Sequence, residues 1–252
     1  MAEPVIRAQA AAHSWDGSRW QFQDLGFAVN PGQVLAVLGA NGCGKSTLLR
    51  VAAGLRAPTR GRITVTGTAA WVPQDFERSF SYRVIDMVLM GRARHIGLLR
   101  LPRQQDHARA MQALAMIGLA DKAEASFNAL SGGQRQMVLI ARAIAAEAAA
   151  LFLDEPASAL DLGNQNRVLN LIRQLADRGL AVVMTTHQPN HAFTIADRAL
   201  LMFPQAPIFG PCDEVLTEPR IEALYGLPVR IVDHRQDDRV RRAVLPLYGP
   251  AP

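Results

Sequence analysis

Along this chain, short unbroken apolar runs alternate with longer stretches in which apolar residues recur every three or four positions. Val34-Leu35-Ala36-Val37-Leu38, Leu151-Phe152-Leu153 and Leu180 to Thr185 have strand length and a buried-strand character. Ahead of them, Val5 to Val29 breaks into short runs around Asp16-Gly17 and predicts antiparallel strands ending before Pro31-Gly32. Arg62 to Gly67 and Ala69 to Val72 predict a hairpin with a very short connection. From Asp75 to Ala129 the period lengthens: Met111, Leu114, Ala115 and Gly118 fall at i, i+3, i+4 and i+7, one helical stripe. Met137, Ile140, Ala141 and Ile144 form another stripe. Beyond Pro204, Pro/Gly turns among mixed charges predict a final strand and helix. The helical stretch is expected to be a lobe inserted into the domain that surrounds it.

Composition narrows the class without choosing a function. With 252 residues, 49% hydrophobic and 19% charged, the chain can bury one substantial core with a subordinate lobe. The net charge of +5 comes from 27 basic against 22 acidic residues, which describes a solvated mixed-charge surface better than a nucleic-acid face. Arg92, Arg94, His95, Arg100, Arg103, His107 and Arg109 make the start of the lobe basic. A solvated face is the first reading there, and a docking surface the second. Cys43 and Cys212 make no disulfide framework, and a thiol at 43 points to a reducing cytosol. Met1 to Ala12 does not resemble a signal peptide. The longest apolar stretch, Ala143 to Leu153, is too short to span a bilayer, so a membrane link is expected to pass through a partner.

Candidate chemistry centres on Gly39-Ala40-Asn41-Gly42-Cys43-Gly44-Lys45-Ser46-Thr47, set between a predicted strand and a predicted helix. Glycines let successive N–H groups converge on a helix N-terminus, where the dipole favours an anion. Lys45 adds charge for the β- and γ-phosphates and Ser46 a hydroxyl for Mg²⁺; Cys43 serves as a small filler. Leu151 to Leu153 leads into Asp154 and Glu155. On an extended strand these acids point opposite ways and take different jobs, Asp154 toward Mg²⁺ and Glu155 toward a nucleophilic water. Gln74, at a strand end, is a candidate for the metal or the water, and His187 for a γ-phosphate sensor. Trp15 either stacks on a purine or packs in the core. Ser131-Gly132-Gly133-Gln134 fits a capping box, while its glycines also offer a second anion site. His187 and His191 have i, i+4 spacing, but Pro189 and the lack of a third ligand argue against a metal site.

In this order, these motifs resemble the ATP-binding subunits of ABC transporters over nearly the whole chain. Gly39–Thr47 matches the Walker A motif, Gln74 the Q-loop glutamine, and Leu130–Gln134 the family signature without a substitution. Leu151–Glu155 matches Walker B with its following glutamate, Ser158–Asp161 the D-loop, and His187 the switch histidine. Trp15 stands where the family usually has an adenine-stacking tyrosine. The resemblance implies an α/β fold: a P-loop NTPase core with a parallel sheet flanked by helices, an antiparallel β subdomain and an inserted α-helical subdomain. One domain over 1–252 is expected, with 1–75 and 130–252 as core and 76–129 as insertion. It further implies ATP and Mg²⁺ as cofactors, the metal held through Ser46, Gln74 and Asp154, and a head-to-tail homodimer. There Ser131, Gly132, Gly133 and Gln134 of one subunit face the other's ATP, with the D-loop Asp161 nearby. Two permease subunits on the cytoplasmic face of the membrane, and indirectly a substrate-binding protein, complete the implied assembly, with no nucleic acid.

Within that family, Thr186 to His191 and Val88 to Arg92 look like importers of iron–siderophore, haem and cobalamin complexes. The short Thr66–Val72 connection looks more like a related molybdate and tungstate branch. Ala157 replaces the usual threonine. An exporter cassette and a soluble nucleic-acid-associated ATPase are the alternatives. Exporters usually fuse membrane helices to the cassette, and the soluble machines usually carry two cassettes or a long coiled coil.

Overall fold

The computed structural model describes residues 3–74, 81–97, 100–203, 206–236 and 239–249. β1 (Ile6–Ser14) and β2 (Trp20–Val29) form the expected antiparallel pair. Asp16 holds their turn, its Oδ1 accepting from the Ser18 and Arg19 amides at 2.9 and 2.8 Å. These donors hold the Asp16 carboxyl well below the usual carboxylate range. β3 (Val34–Leu38) is buried throughout and leads to α1 (Lys45–Ala52). β4 (Arg60–Val65) then pairs antiparallel with β1, completing a three-stranded sheet ordered β2-β1-β4.

The expected hairpin does not form. β5 (Ala69–Val72) leaves β4 and pairs parallel with β6 (Ala150–Leu153) in the central sheet. Gly67 turns the chain with φ +89°, and the Thr68 carbonyl accepts from the Ala149 and Ala150 amides at 2.9 and 3.1 Å. Ala70 and Val72 are buried there, so the short connection joins two sheets rather than two strands of one.

The central sheet runs β5-β6-β7-β3-β8-β9, with β7 (Ala181–Thr186), β8 (Arg198–Leu201) and β9 (Ile208–Pro211). Its strands are parallel except β9, which runs antiparallel to β8. Strand alternation divides its apolar residues between two cores. Val34, Ala36, Leu38, Leu151, Leu153, Val182 and Met184 pack on the helical side. Leu35, Val37, Ala150, Phe152, Ala181 and Val183 face α1 and the three-stranded sheet. Burial on both faces is why these strands read as continuous apolar runs.

Between β5 and β6 lies the helical subdomain. It comprises α2 (Val84–Leu89), a 3-10 turn at Met90–Arg92, α3 (Ala93–Ile96) and α4 (Gln104–Met116). Its expected first residues, 76–80, lie outside the described residues. α5 (Gly132–Ala145) returns the chain to β6 and packs against α2 and α4. The apolar stripe on α4 is displaced by one residue: Ala110, Ala113, Leu114 and Ile117 are buried, while Met111, Ala115 and Gly118 are exposed. Both sets satisfy the helical period, and the packing on α2 and α5 decides which is buried.

Arg92 departs from the solvated-face reading. Its guanidinium is buried and donates to Glu147 Oε2 at 2.8 Å, to the Ala145 carbonyl at 2.9 Å and to Asp106 Oδ1 at 3.3 Å. It ties the lobe to the end of α5, because a buried cation needs such acceptors.

After β6 come α6 (Leu162–Asp177), β7, α7 (Pro189–Ile195), β8 and β9. The expected single strand and helix beyond Pro204 are a larger unit. α8 (Cys212–Val215) and α9 (Glu218–Tyr225) precede an antiparallel ribbon of β10 (Val229–Gln236) and β11 (Arg239–Pro246). Among the described residues no helix is long and apolar enough to cross a membrane.

Candidate active site

The glycine loop connects β3 to α1 at the carboxyl ends of the central strands, where open α/β sheets place their ligands. Gly44 has φ +99°, and a Cβ there would stand 2.9 Å from the Gln21 carbonyl oxygen. No side chain caps α1, so its first-turn amides remain available to an anion. Lys45 is buried, donating to the Gly39 and Ala40 carbonyls at 2.9 and 3.1 Å. Its Nζ also stands 3.9 Å from Glu155 Oε1.

The two acids converge on this loop. Ser46 Oγ donates to Asp154 Oδ1 at 3.0 Å, and Thr185 Oγ1 donates to the same oxygen at 2.7 Å. β6 ends at Leu153, and Glu155 takes a left-handed backbone, φ +44°, so strand alternation no longer separates the pair. Glu155 therefore turns toward Lys45 and toward His187, whose Nδ1 is 3.2 Å from Glu155 Oε2. The two acids keep different partners, Asp154 with Ser46 and Thr185 and Glu155 with Lys45 and His187.

Asn41, Gly42, Gly44, Lys45, Ser46, Thr47, Gln74, Glu155 and His187 line one cavity of about 460 Å³, together with Gln21. Gln21 and Thr185 are absent from the sequence-level site. Nothing local marks Gln21; Thr185 is visible only as a hydroxyl in an otherwise apolar run. Ser46, Asp154 and Gln74 supply hard oxygen donors, and the first two already touch, which fits Mg²⁺. Cys43 is half-buried beside Gly39, and burial pushes its thiol pKa up, in keeping with a filler.

Trp15 is 51% exposed, which overturns the core-packing alternative. The Arg56 guanidinium lies 4.2 Å from its ring centroid, and the tryptophan is not among the residues lining the phosphate cavity. Ser131 and Gln134 form the capping box: Ser131 Oγ accepts from the Gln134 amide at 3.3 Å, and Gln134 Oε1 from the Ser131 amide at 3.2 Å. None of Ser131, Gly132, Gly133 and Gln134 lines the Lys45 cavity of its own chain. Gly133 has a packing reason of its own, since a Cβ would stand 2.7 Å from Asn164 Cγ. Asp161, the N-cap of α6, holds that asparagine through its amide and its side chain, both at 2.8 Å. His191 turns into the fold, pairing with Thr186 Oγ1 at 3.1 Å and Gln165 Oε1 at 3.3 Å. Burial lowers its pKa to about 4.

An open helix end, a buried lysine and two carboxylates at one crevice define a nucleoside triphosphatase. Residues 22–158 match the model of the ABC transporter family, and the chain belongs to that family. It binds and hydrolyses ATP. It is 45% identical over 235 residues to the molybdate import ATP-binding protein MolC of Haemophilus influenzae, covering 93% of each chain. It is 39% identical over 237 residues to the hemin import ATP-binding protein HmuV of Gloeobacter violaceus, covering 86% of each. Among solved structures, an inward-facing metal-chelate type ABC transporter superposes with TM-score 0.92 at 42% identity, covering 98% of each chain.

Proposed function

We propose that this subunit powers a binding-protein-dependent importer of metal chelates or of molybdate and tungstate. The likeness to molybdate, hemin and metal-chelate systems over most of the chain supports the importer class. The short Thr66–Val72 connection and the 45% identity to a molybdate system favour the oxyanion branch.

In this reading the open end of α1 and Lys45 receive the phosphates, and Ser46, Asp154 and Gln74 hold Mg²⁺. The bound ion neutralises phosphate charge and orients the phosphoryl group. Glu155 orients or deprotonates the attacking water, His187 holds Glu155 and reads the γ-phosphate, and Trp15 stacks on adenine. One observation carries the dimer reading. The cavity around Lys45 is assembled within one chain, whereas the capped end of α5 presents Ser131 and Gly132 to the outside. A second copy, head to tail, brings Ser131, Gly132, Gly133 and Gln134 to that cavity and Asp161 to the interface. Two permease subunits then hold the pair at the cytoplasmic face of the membrane, and a substrate-binding protein delivers cargo.

Reconstitution with the cognate permease tests the function. Permease and binding protein should change the ATPase rate, and vesicles should accumulate molybdate, haem or another chelate. Outward transport would identify an exporter. Stimulation by RNA or DNA with no permease effect would identify the soluble machine.

A further inference from the structure

We propose that Thr185 is a positioning residue for ATP hydrolysis, its hydroxyl aligning Asp154 and holding the Glu155 backbone in the turn that aims its carboxylate at the phosphate loop. The inference rests on the roles given above to Asp154 and Glu155.

Thr185 is fully buried near the end of β7, the strand beside β6. Leu153 and Met184 are register partners and face the helical core. One residue further along the chain from each, alternation turns Asp154 and Thr185 to the α1 side, where Ser46 lies in the first turn of the helix. A buried hydroxyl is costly unless hydrogen-bonded. This one is used in both directions, donating to Asp154 Oδ1 at 2.7 Å and accepting from the Glu155 amide at 2.8 Å.

Packing alone does not call for the hydroxyl. Val182 and Val183 occupy the same strand, and valine has threonine's branched shape and strand preference. What threonine adds is the pair of bonds, and both end on the acidic residues of the site. At Asp154, Thr185 and Ser46 donate to one carboxylate oxygen, which fixes the rotamer relative to α1. At Glu155, the bond restrains a backbone at φ +44°, a region non-glycine residues enter at a cost. That turn lets the Glu155 carboxylate reach His187 at 3.2 Å and Lys45 at 3.9 Å. Thr185 is fully buried and does not line the cavity, so it acts through the two acids.

The test compares Thr185→Val, Thr185→Ser and Glu155→Gln in the full chain with its permease. Loss of an outer-shell partner should lower kcat on the order of 10- to 100-fold in Thr185→Val, with KM for ATP nearly unchanged. More Mg²⁺ should be needed for half-maximal rate. In the nucleotide-free protein, the Glu155 amide should exchange hydrogen faster, a readout independent of turnover. Thr185→Ser should restore kcat, Mg²⁺ dependence and amide protection. A folded Thr185→Val with wild-type kcat and amide protection would overturn the proposal. So would a Thr185→Ser as impaired as Thr185→Val, since the methyl group and not the hydroxyl would then matter. If Thr185→Val does not fold, Thr185→Ser against Thr185→Ala decides by the same criteria. Full turnover in Glu155→Gln would instead overturn the role of Glu155. Loss in Glu155→Gln beside a normal Thr185→Val would sink the Thr185 inference alone.

Discussion

The N-terminal ends of α1 and α5 each combine a glycine with a hydroxyl residue, Gly44 with Ser46 and Gly132 with Ser131, yet they are finished in opposite ways. Gly44 enters α1 in a left-handed conformation with no side-chain cap, and the end is enclosed by a buried lysine, a serine and two carboxylates. Ser131 enters α5 in an extended conformation and closes a reciprocal box with Gln134, leaving Ser131 and Gly132 exposed. An uncapped end inside a crevice is incomplete until an anion arrives. A capped end on the surface is already stable alone, so any ligand it serves must be brought by another surface. Similar residue types thus mark either a receptor or a presenter, and burial separates them.

The largest effect expected on the α1 side is at Glu155. Glu155→Gln should keep MgATP binding while turnover falls by about 10²–10⁴-fold, measured by steady-state hydrolysis. A rate near wild type would remove the general-base role from this side of the comparison.

Mixing variants breaks the comparison directly. Lys45→Ala and Ser131→Arg, each combined with Glu155→Gln, should trap no ATP as homodimers. A mixed dimer should trap one ATP, because both lesions fall in one site and the other is intact. Differentially tagged mixed dimers holding no nucleotide would count against a shared site.

The glycines separate the two ends by stability. Gly44→Ala meets both a forbidden φ and the Gln21 carbonyl, so it should cost at least ~1–2 kcal/mol in chemical denaturation. Gly132→Ala, whose Cβ would find only Arg135 Nη2 at 3.9 Å, should fold normally. Near the phosphate side, Trp15→Ala should weaken ATP binding by about 1–3 kcal/mol in titration, with Trp15→Tyr restoring it. Equal affinity in Trp15→Ala would confine that ring to its Arg56 contact.

A pH slope is expected next to the switch histidine. Burial lowers the His191 pKa from 6.5 to about 4, so the unfolded chain binds its proton first as pH falls. The stability this group contributes is complete above pH 6.5 and is lost as pH falls toward about 4. His191→Gln should flatten thermal stability across that window; an unchanged slope would show that other groups carry it.

Much of the site is legible because its chemistry is local. A loop that turns on Gly42 and Gly44 and starts a helix with Lys45-Ser46 needs only neighbouring residues, and so does the Ser131–Gln134 box. The runs through Val34–Leu38, Leu151–Leu153 and Leu180–Thr185 likewise announce strands, since burial on both faces removes polar alternation from the sequence itself.

Partner choice is different. Whether β5 pairs with β4 or with β6 depends on which sheet can bury Ala70 and Val72, and no local spacing encodes that. The stripe on α4 slips by one residue because the way the helix rests on α2 and α5, which no local period encodes, sets the face it buries. Arg92 looks solvated until Asp106 and Glu147, far along the chain, are brought to it. Asp154 and Glu155 appear opposed until the strand ends and Thr185 bends the chain. The sequence alone determined the phosphate loop and the capped helix, which neighbouring residues build, and the strand identities, which burial on both faces writes as unbroken apolar runs. Only the tertiary structure decided which sheet each strand joins, which face each helix buries and where the two acids point, because those depend on contacts between residues distant in the chain.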